Sequence, residues 1–231
     1  MEKQNLSVLP PGSRRLLLSF TAQEWEQLTR DAQNMSRLER LHLVARARGV
    51  SLELLLGEPT WVLPKGRLRL MSLLRQIPGR FFVMAHLDLE RHQLPADRQG
   101  NWETQVMKTL REAVAASPIP IALTTHHREL RPGFLRALNK AGVREIVPMI
   151  YVTNNNRVLE IVHGFPPLPK DMTLSVAQSV ERDLPREESS FALGKNQSLA
   201  HWRALARQLR TIPNFKSIII QSWEDYQSAI P

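Results

Sequence analysis

Residues 80–90 read RFFVMAHLDLE. An apolar run from Phe81 passes into Asp88 and Glu90, two carboxylates two residues apart. The run is of strand length and shows no regular alternation of polar and apolar residues. That composition suits a strand covered on both faces, as in a parallel sheet. Side chains on a strand repeat with period two, so Asp88 and Glu90 project from the same face where the buried segment ends.

Six further runs of the same kind flank it: RRLLLSF (14–20), SLELLLG (51–57), IPIALTT (119–125), REIVPMIYVT (144–153), MTLSVAQSV (172–180) and FKSIIIQSW (215–223). Helical stretches separate them. Thr21 and Glu24 have capping-box spacing, as do Ser36 and Glu39. Trp25, Leu28, Ala32 and Met35 keep helical spacing, and so do Leu38, Leu41 and Ala45, with Gly49 as the stop. Trp102, Val106, Leu110 and Ala113 form another stripe, Phe134, Leu135 and Leu138 a shorter one before Gly142, and Leu199, Trp202, Leu205 and Leu209 the last. Such stripes are the buried faces of helices, which places Trp25, Trp102 and Trp202 in the core.

Strand–helix alternation repeated this often predicts parallel βα units. A dinucleotide-binding sheet needs a glycine-rich turn after its first strand, and SFTAQEW stands there instead; no P-loop occurs either. Polar groups gather at the ends of successive runs: Glu58; Asp88 and Glu90; Thr125, His126 and His127; Tyr151 and Asn154; Glu181 and Asp183; Gln221 and Trp223. In a (β/α) barrel those ends share one face, where active sites are built. The expected fold is therefore an α/β, TIM-type (β/α) barrel with seven recognisable strands, the first barrel strand being missing or irregular. Residues 1–231 form a single domain in this reading, with 1–13 as an N-terminal extension and 154–171 as a long loop.

At 42% hydrophobic residues the chain can bury a real core. Its net charge is +9, which favours encounter with polyanions. A nucleic-acid partner is not expected, because the aromatics fall on apolar stripes rather than among basic residues. Without cysteine there is no disulfide, thiolate nucleophile or thiolate metal site. No run approaches the roughly 18 apolar residues of a membrane span, and LLLSF is too short for a signal peptide core. A cytoplasmic location is the default expectation unless the chain is a domain of an exported protein. The serines lack a nucleophile elbow.

Three of the strand ends resemble chitinase-like (family 18-type) glycoside hydrolases and related bacterial barrels. Where that family carries DxxDxDxE, this chain has Val83, His86, Asp88 and Glu90. Where it carries M-x-Y, this chain has Met149 and Tyr151, and Trp223 follows the last run as a tryptophan does there. Trp61, in LLGEPTWVLP, resembles a G-D-P-x-W segment of the same barrels. The resemblance implies a hydrolase of a bacterial or amino-sugar polysaccharide, with Glu90 as general acid, Asp88 as its partner and Tyr151 in support. Trp61, His126, His127, Glu181, Asp183 and Trp223 would bind the poly- or oligosaccharide. It implies no cofactor and no metal. The two upstream acids of the family motif are replaced by Val83 and His86. That departure supports an alternative: an inactive glycosidase-like barrel binding a glycan or a protein in an envelope assembly. A third reading is a metal-dependent hydrolase using His126, His127, Asp88 and Glu90, although no H-E-x-x-H spacing is present.

Overall fold

Strands form at all seven apolar runs. A computed structural model describes Leu6 and residues 9–230. The strands are β1 (Arg15–Phe20), β2 (Ser51–Gly57), β3 (Ala85–Asp88), β4 (Ile121–His126), β5 (Glu145–Met149), β6 (Thr173–Ser179) and β7 (Phe215–Gln221). The helices are α1 (Ala22–Arg30), α2 (Ala32–Ala47), α3 (Pro64–Arg75), α4 (Ala96–Gln99), α5 (Trp102–Ala116), α6 (Pro132–Lys140), α7 (Asn155–His163), α8 (Gly194–Leu209) and α9 (Trp223–Ser228). Among the described residues no strand precedes β1; residues 1–5, 7 and 8 of the expected N-terminal extension lie outside them.

The chain divides into two compact units. The first comprises Met1–Thr124 and Lys140–Arg144, and the second Thr125–Asn139 and Glu145–Pro231. In the first unit β1, β2, β3 and β4 pair in chain order, all parallel. In the second, β5, β6 and β7 do the same. Neighbours in chain order, with no reversal within either ladder, are the winding of a TIM-type α/β fold rather than of a doubly wound sheet. The fold class expected from the sequence is the one observed.

The capping box at Thr21 forms in full: Glu24 N donates to Thr21 Oγ1, and Thr21 N donates to Glu24 Oε2. The second expected box does not form. Asp31 breaks the first helix and caps the next one through Gln33 N, so Ser36 falls inside α2 and donates to Ala32 O. Gly49 and Gly142 follow α2 and α6 with φ of +66° and +88°, a region that L side chains avoid. Trp25, Trp102 and Trp202 are all buried, as their helical spacing predicts.

Two expectations fail locally. Residues 154–171 are not one long loop, because 155–163 are α7. Asn154 caps its first turn through Arg157 N, and Val158 and Val162 are buried one turn apart. The prolines at 166, 167 and 169 suggested a loop but act only after the helix has ended. Trp61 does not line an opening; it is fully buried in the turn Pro59–Val62. That turn lies on α3 so closely that a Cβ on Gly66 would stand 2.1 Å from Thr60 O. Buried Arg67 anchors the same corner, donating to Val62 O, Thr109 Oγ1 and Gln105 Oε1 at 2.8–2.9 Å.

Among the described residues, no helix is long and apolar enough to cross a membrane.

Candidate functional site

In the first unit, one face of the β1–β2–β3–β4 ladder carries most of the chemistry. Register pairs Leu55 with His86, Gly57 with Asp88, and Asp88 with Thr124. Register partners on parallel strands point the same way, and so do residues two apart along a strand. Glu53, Gly57, His86, Asp88 and Thr124 therefore share a face.

Deepest on this face is an ion cluster. Glu53 is almost wholly buried and takes a two-pronged contact from Arg15: Nε to Oε1 at 2.8 Å and Nη2 to Oε2 at 2.6 Å. His86, fully buried, meets Glu53 Oε2 through Nε2 at 2.7 Å. Burial alone would raise the Glu53 pKa, but the hydrogen bonds from His86 and Arg15 and their charges hold it at about 2. The carboxylate is thus ionised across any working pH, and its task is to fix Arg15 and His86.

Asp88 closes β3 two residues later and meets the opposite fate. Its Oδ1 is buried and makes no hydrogen bond. Burial, and next the charge of Glu90, push its pKa up to about 7, against a smaller opposing pull from His92. Gly57 lies directly beside it, where a Cβ would stand 3.2 Å from Asp88 Cβ. A side chain at position 57 would crowd the carboxyl. Thr124, 8% exposed, stands across from Asp88 with Oγ1 unbonded. Glu90 lies beyond the end of β3. It accepts from Gln93 Nε2, lies 3.4 Å from His92 Nδ1, and has its pKa raised by burial.

Apart from Trp61, the other expected site residues belong to the second unit. His126 and His127 stack with ring centroids 4.4 Å apart, and His127 Nδ1 lies 3.1 Å from Met149 O. Burial lowers the pKa of His127. Tyr151 packs half-buried against Val147, Met149 and Ala177. Glu181 is tied to its own turn by Ser179 Oγ at 2.8 Å, and Asp183 is exposed. Trp223 begins α9 and stacks on Tyr226 beside Trp202. Among the described residues, no group of three or more His, Asp or Glu is placed to hold a metal ion, so the metal-hydrolase reading finds no site.

Sequence reasoning named Asp88 and Glu90 but missed Gly57 and Thr124, which flank Asp88, and the Arg15–Glu53 pair that engages His86 on the same face. One signal was present. Glu53 interrupts an otherwise apolar run, SLELLLG, and a lone charge inside a buried strand requires a partner.

No family model matches this sequence, and no curated protein matches it. Solved structures that it resembles include a phosphonopyruvate hydrolase, with 11% identity and a TM-score of 0.48 over 84% of this chain and 62% of that one. Another is a putative phosphonomutase from Burkholderia cenocepacia J2315, with 11% identity and a TM-score of 0.37 over 85% of this chain and 92% of that one. This chain thus spans less than two thirds of the hydrolase. At 11% identity no residue role passes from either protein to this one. Neither is a glycosidase, and the chitinase-like resemblance is corrected accordingly, together with its glycan partner and its inactive, glycan-binding alternative. The structure supplies the physical reason. The family needs inner acids to tune the motif, but His86 is committed to Glu53, and Val83 is an exposed residue outside β3. The resemblance rested on a D-x-E and an M-x-Y, patterns short enough to arise without common chemistry.

Proposed function

We propose that this chain is an enzyme of general acid–base type acting on a small molecule, with Asp88 as the proton-transferring group. The supporting observation is Asp88 itself: a carboxyl at the C-terminal end of a parallel strand, with a buried, uncommitted oxygen and a pKa of about 7. A group that titrates near the working pH is the efficient donor and acceptor of protons. Carboxyls with perturbed pKa values concentrate where proton transfer is the task. Glu90 assists by keeping a second negative charge nearby, and Gly57 keeps the approach to Asp88 clear. Glu53, Arg15 and His86 form the fixed floor beneath. In α/β folds with parallel strands, the strand C-termini are where such sites are built.

The test is solvent exchange. The protein is incubated in D₂O with a panel of 2-oxo acids, 2-hydroxy acids and phosphonates, phosphonopyruvate among them, and deuterium incorporation is followed by proton NMR. The expected result is incorporation into one class of compound by the wild type. Asp88→Asn should slow it by about 10²–10⁴-fold, the usual contribution of a positioned acid–base group. An Asp88→Asn protein as fast as wild type, or a folded wild type silent across the panel between pH 6 and 8, would retire the proposal.

A further inference from the structure

Helix α2 carries apolar residues on both of its faces. Leu38 and Ala45 are buried in the core, while Leu43 and Val44 are 58% and 47% exposed. At about 100° per residue, these two lie on either side of the line through Arg40 and Ala47, the middle of the solvent face. Arg46 lies beyond Leu43 on one flank, and Arg37 and Arg48 lie beyond Val44 on the other. All four arginines are exposed, and among the described residues none of them makes an ion pair. Glu39, on the flank of Arg46, is the only acid in the helix.

Two further arginines of the same unit widen the basic zone. Arg14 Nη1 lies beside Gly49 just after the helix, where a Cβ would stand 3.2 Å from it. On the flank of Arg46, His42 Nδ1 lies 3.1 Å from Phe81 O, and the two rings are 5.5 Å apart. The Arg80 guanidinium sits 4.6 Å over that Phe81 ring. Six arginines thus surround two exposed aliphatic side chains. Helix stability accounts for only some of them. Arg46 and Arg48 suit the negative end of the helix dipole, but that effect fades within a turn, and Arg37 and Arg40 stand further back. Like charges gathered on one face repel each other, and a polyanion relieves them.

We propose that the outer face of α2 docks this protein on an anionic membrane surface. The arginines take the lipid phosphates and carboxylates, and Leu43 and Val44 reach into the boundary between headgroups and acyl chains. The shape and chemistry of the face favour this partner. The solvent side of a single helix is convex, so a folded protein would need a groove cut to fit it. Nucleic acid would use the arginines and leave the aliphatic pair in water. A bilayer is deformable, negatively charged at its surface and apolar just beneath, and it meets all three features. The contact is with the surface alone, since among the described residues no helix can cross a membrane. It also leaves the acid–base site clear. The end of α2 lies beside the start of the ladder, where Ser51 N donates to Arg14 O, whereas Asp88 closes β3 at the other end. The docking proposal therefore stands independently of the role of Asp88.

Vesicle co-sedimentation tests it, with equal parts phosphatidylserine and phosphatidylcholine against phosphatidylcholine alone, in about 0.1 M salt, where screening still leaves surface attraction measurable. The wild type should bind the mixed vesicles, bind the neutral ones far less, and detach as salt rises. Arg37→Glu with Arg40→Glu should weaken binding by at least about thirtyfold, from the loss of two cations near the surface. Leu43→Ser with Val44→Ser should weaken it by about tenfold, from the loss of partial apolar burial. Both pairs are exposed, so circular dichroism and melting should match the wild type. The chain has no cysteine, so Leu43→Cys can carry a single environment-sensitive fluorophore. Its emission should shift to the blue on mixed vesicles, while the same label at Lys108→Cys, an exposed position on α5, stays silent. A wild type that ignores the mixed vesicles overturns the proposal. So does binding that neither pair of substitutions weakens, or a label at position 43 that remains in water. Tighter binding to duplex DNA at equal phosphate concentration would assign the face to nucleic acid and overturn it too.

Discussion

Glu53 and Asp88 lie on one face of two neighbouring strands, and both are largely withdrawn from water. One is held at a pKa of about 2 and the other is pushed to about 7. Burial drives both upward, so burial cannot be what separates them. The difference lies in partners. Glu53 has a guanidinium fork and an imidazole aimed at it, whereas Asp88 has an unbonded oxygen and the like charge of Glu90 nearby. The same fold thus makes one carboxylate a permanent anion and the other a group that gains and loses a proton near neutrality. Acid–base roles in enzymes are assigned by this kind of divergence.

The largest expected effect comes from breaking the Glu53 side of the contrast. Arg15→Met removes the fork while keeping apolar bulk, and leaves a buried carboxylate with His86 alone. It should cost roughly 3–5 kcal/mol of stability at pH 7, the range for removing one partner of a buried ion pair. Urea denaturation measures it, and a loss below 1 kcal/mol would mean the fork contributes little.

Next in size is the Asp88 side, where the sign follows from proton linkage. Asp88 has a folded pKa of about 7 against a reference value of 3.8. Between those values the folded state binds more protons than the unfolded one. Its contribution to stability therefore falls as pH rises through that window and levels off above about pH 7. Asp88→Asn removes this loss. Relative to wild type, the variant should gain about 2–3 kcal/mol on going from pH 4 to pH 8, allowing for the partial solvation of the group. Glu53 behaves oppositely: its stabilisation is complete above about pH 4.5 and is lost as pH falls toward about 2. Equal urea midpoints for wild type and Asp88→Asn at both pH values would show that Asp88 titrates normally.

The smallest effect sharpens the contrast rather than breaking it. Glu90→Gln removes a like charge and should lower the Asp88 pKa. His92→Ala removes an opposing influence and should raise it. Each shift should be below about one unit, the smaller for His92, whose side chain is exposed. Carbon-13 NMR of the Asp88 carboxyl follows both, and shifts of the same sign would contradict the arrangement.

Much of the fold could be read from the chain because it rests on local pattern. Each apolar run became a strand, and Thr21 with Glu24 capped the helix it was expected to cap. Errors arose where two local signals competed. Asp31 took the cap that Ser36 was expected to supply, and the prolines after α7 masked a helix already announced by Asn154, Val158 and Val162. The site was less legible. Asp88 and Glu90 stand out because carboxylates at the end of an apolar run are conspicuous. Their meaning was misjudged, since a D-x-E and an M-x-Y matched a glycosidase pattern whose inner acids were absent. Trp61 looked exposed because it sits in a turn, but Gly66 lets that turn settle on α3 and bury it.

Local pattern was enough to specify the α/β class, the seven strands, the tryptophan-bearing helix faces and the carboxylate pair at the end of β3. These depend on periodicities of two and 3.6 residues, which are properties of the chain. What each carboxylate is depends on contacts that form only in the folded chain. Arg15 lies 38 residues from Glu53, and His86 lies 33 residues beyond it. Parallel register across helical crossovers brings the three together, and the same register sets Gly57 and Thr124 on either side of Asp88. A carboxyl's pKa depends on the atoms within a few ångströms of it, and in a parallel sheet most of those atoms come from distant parts of the sequence.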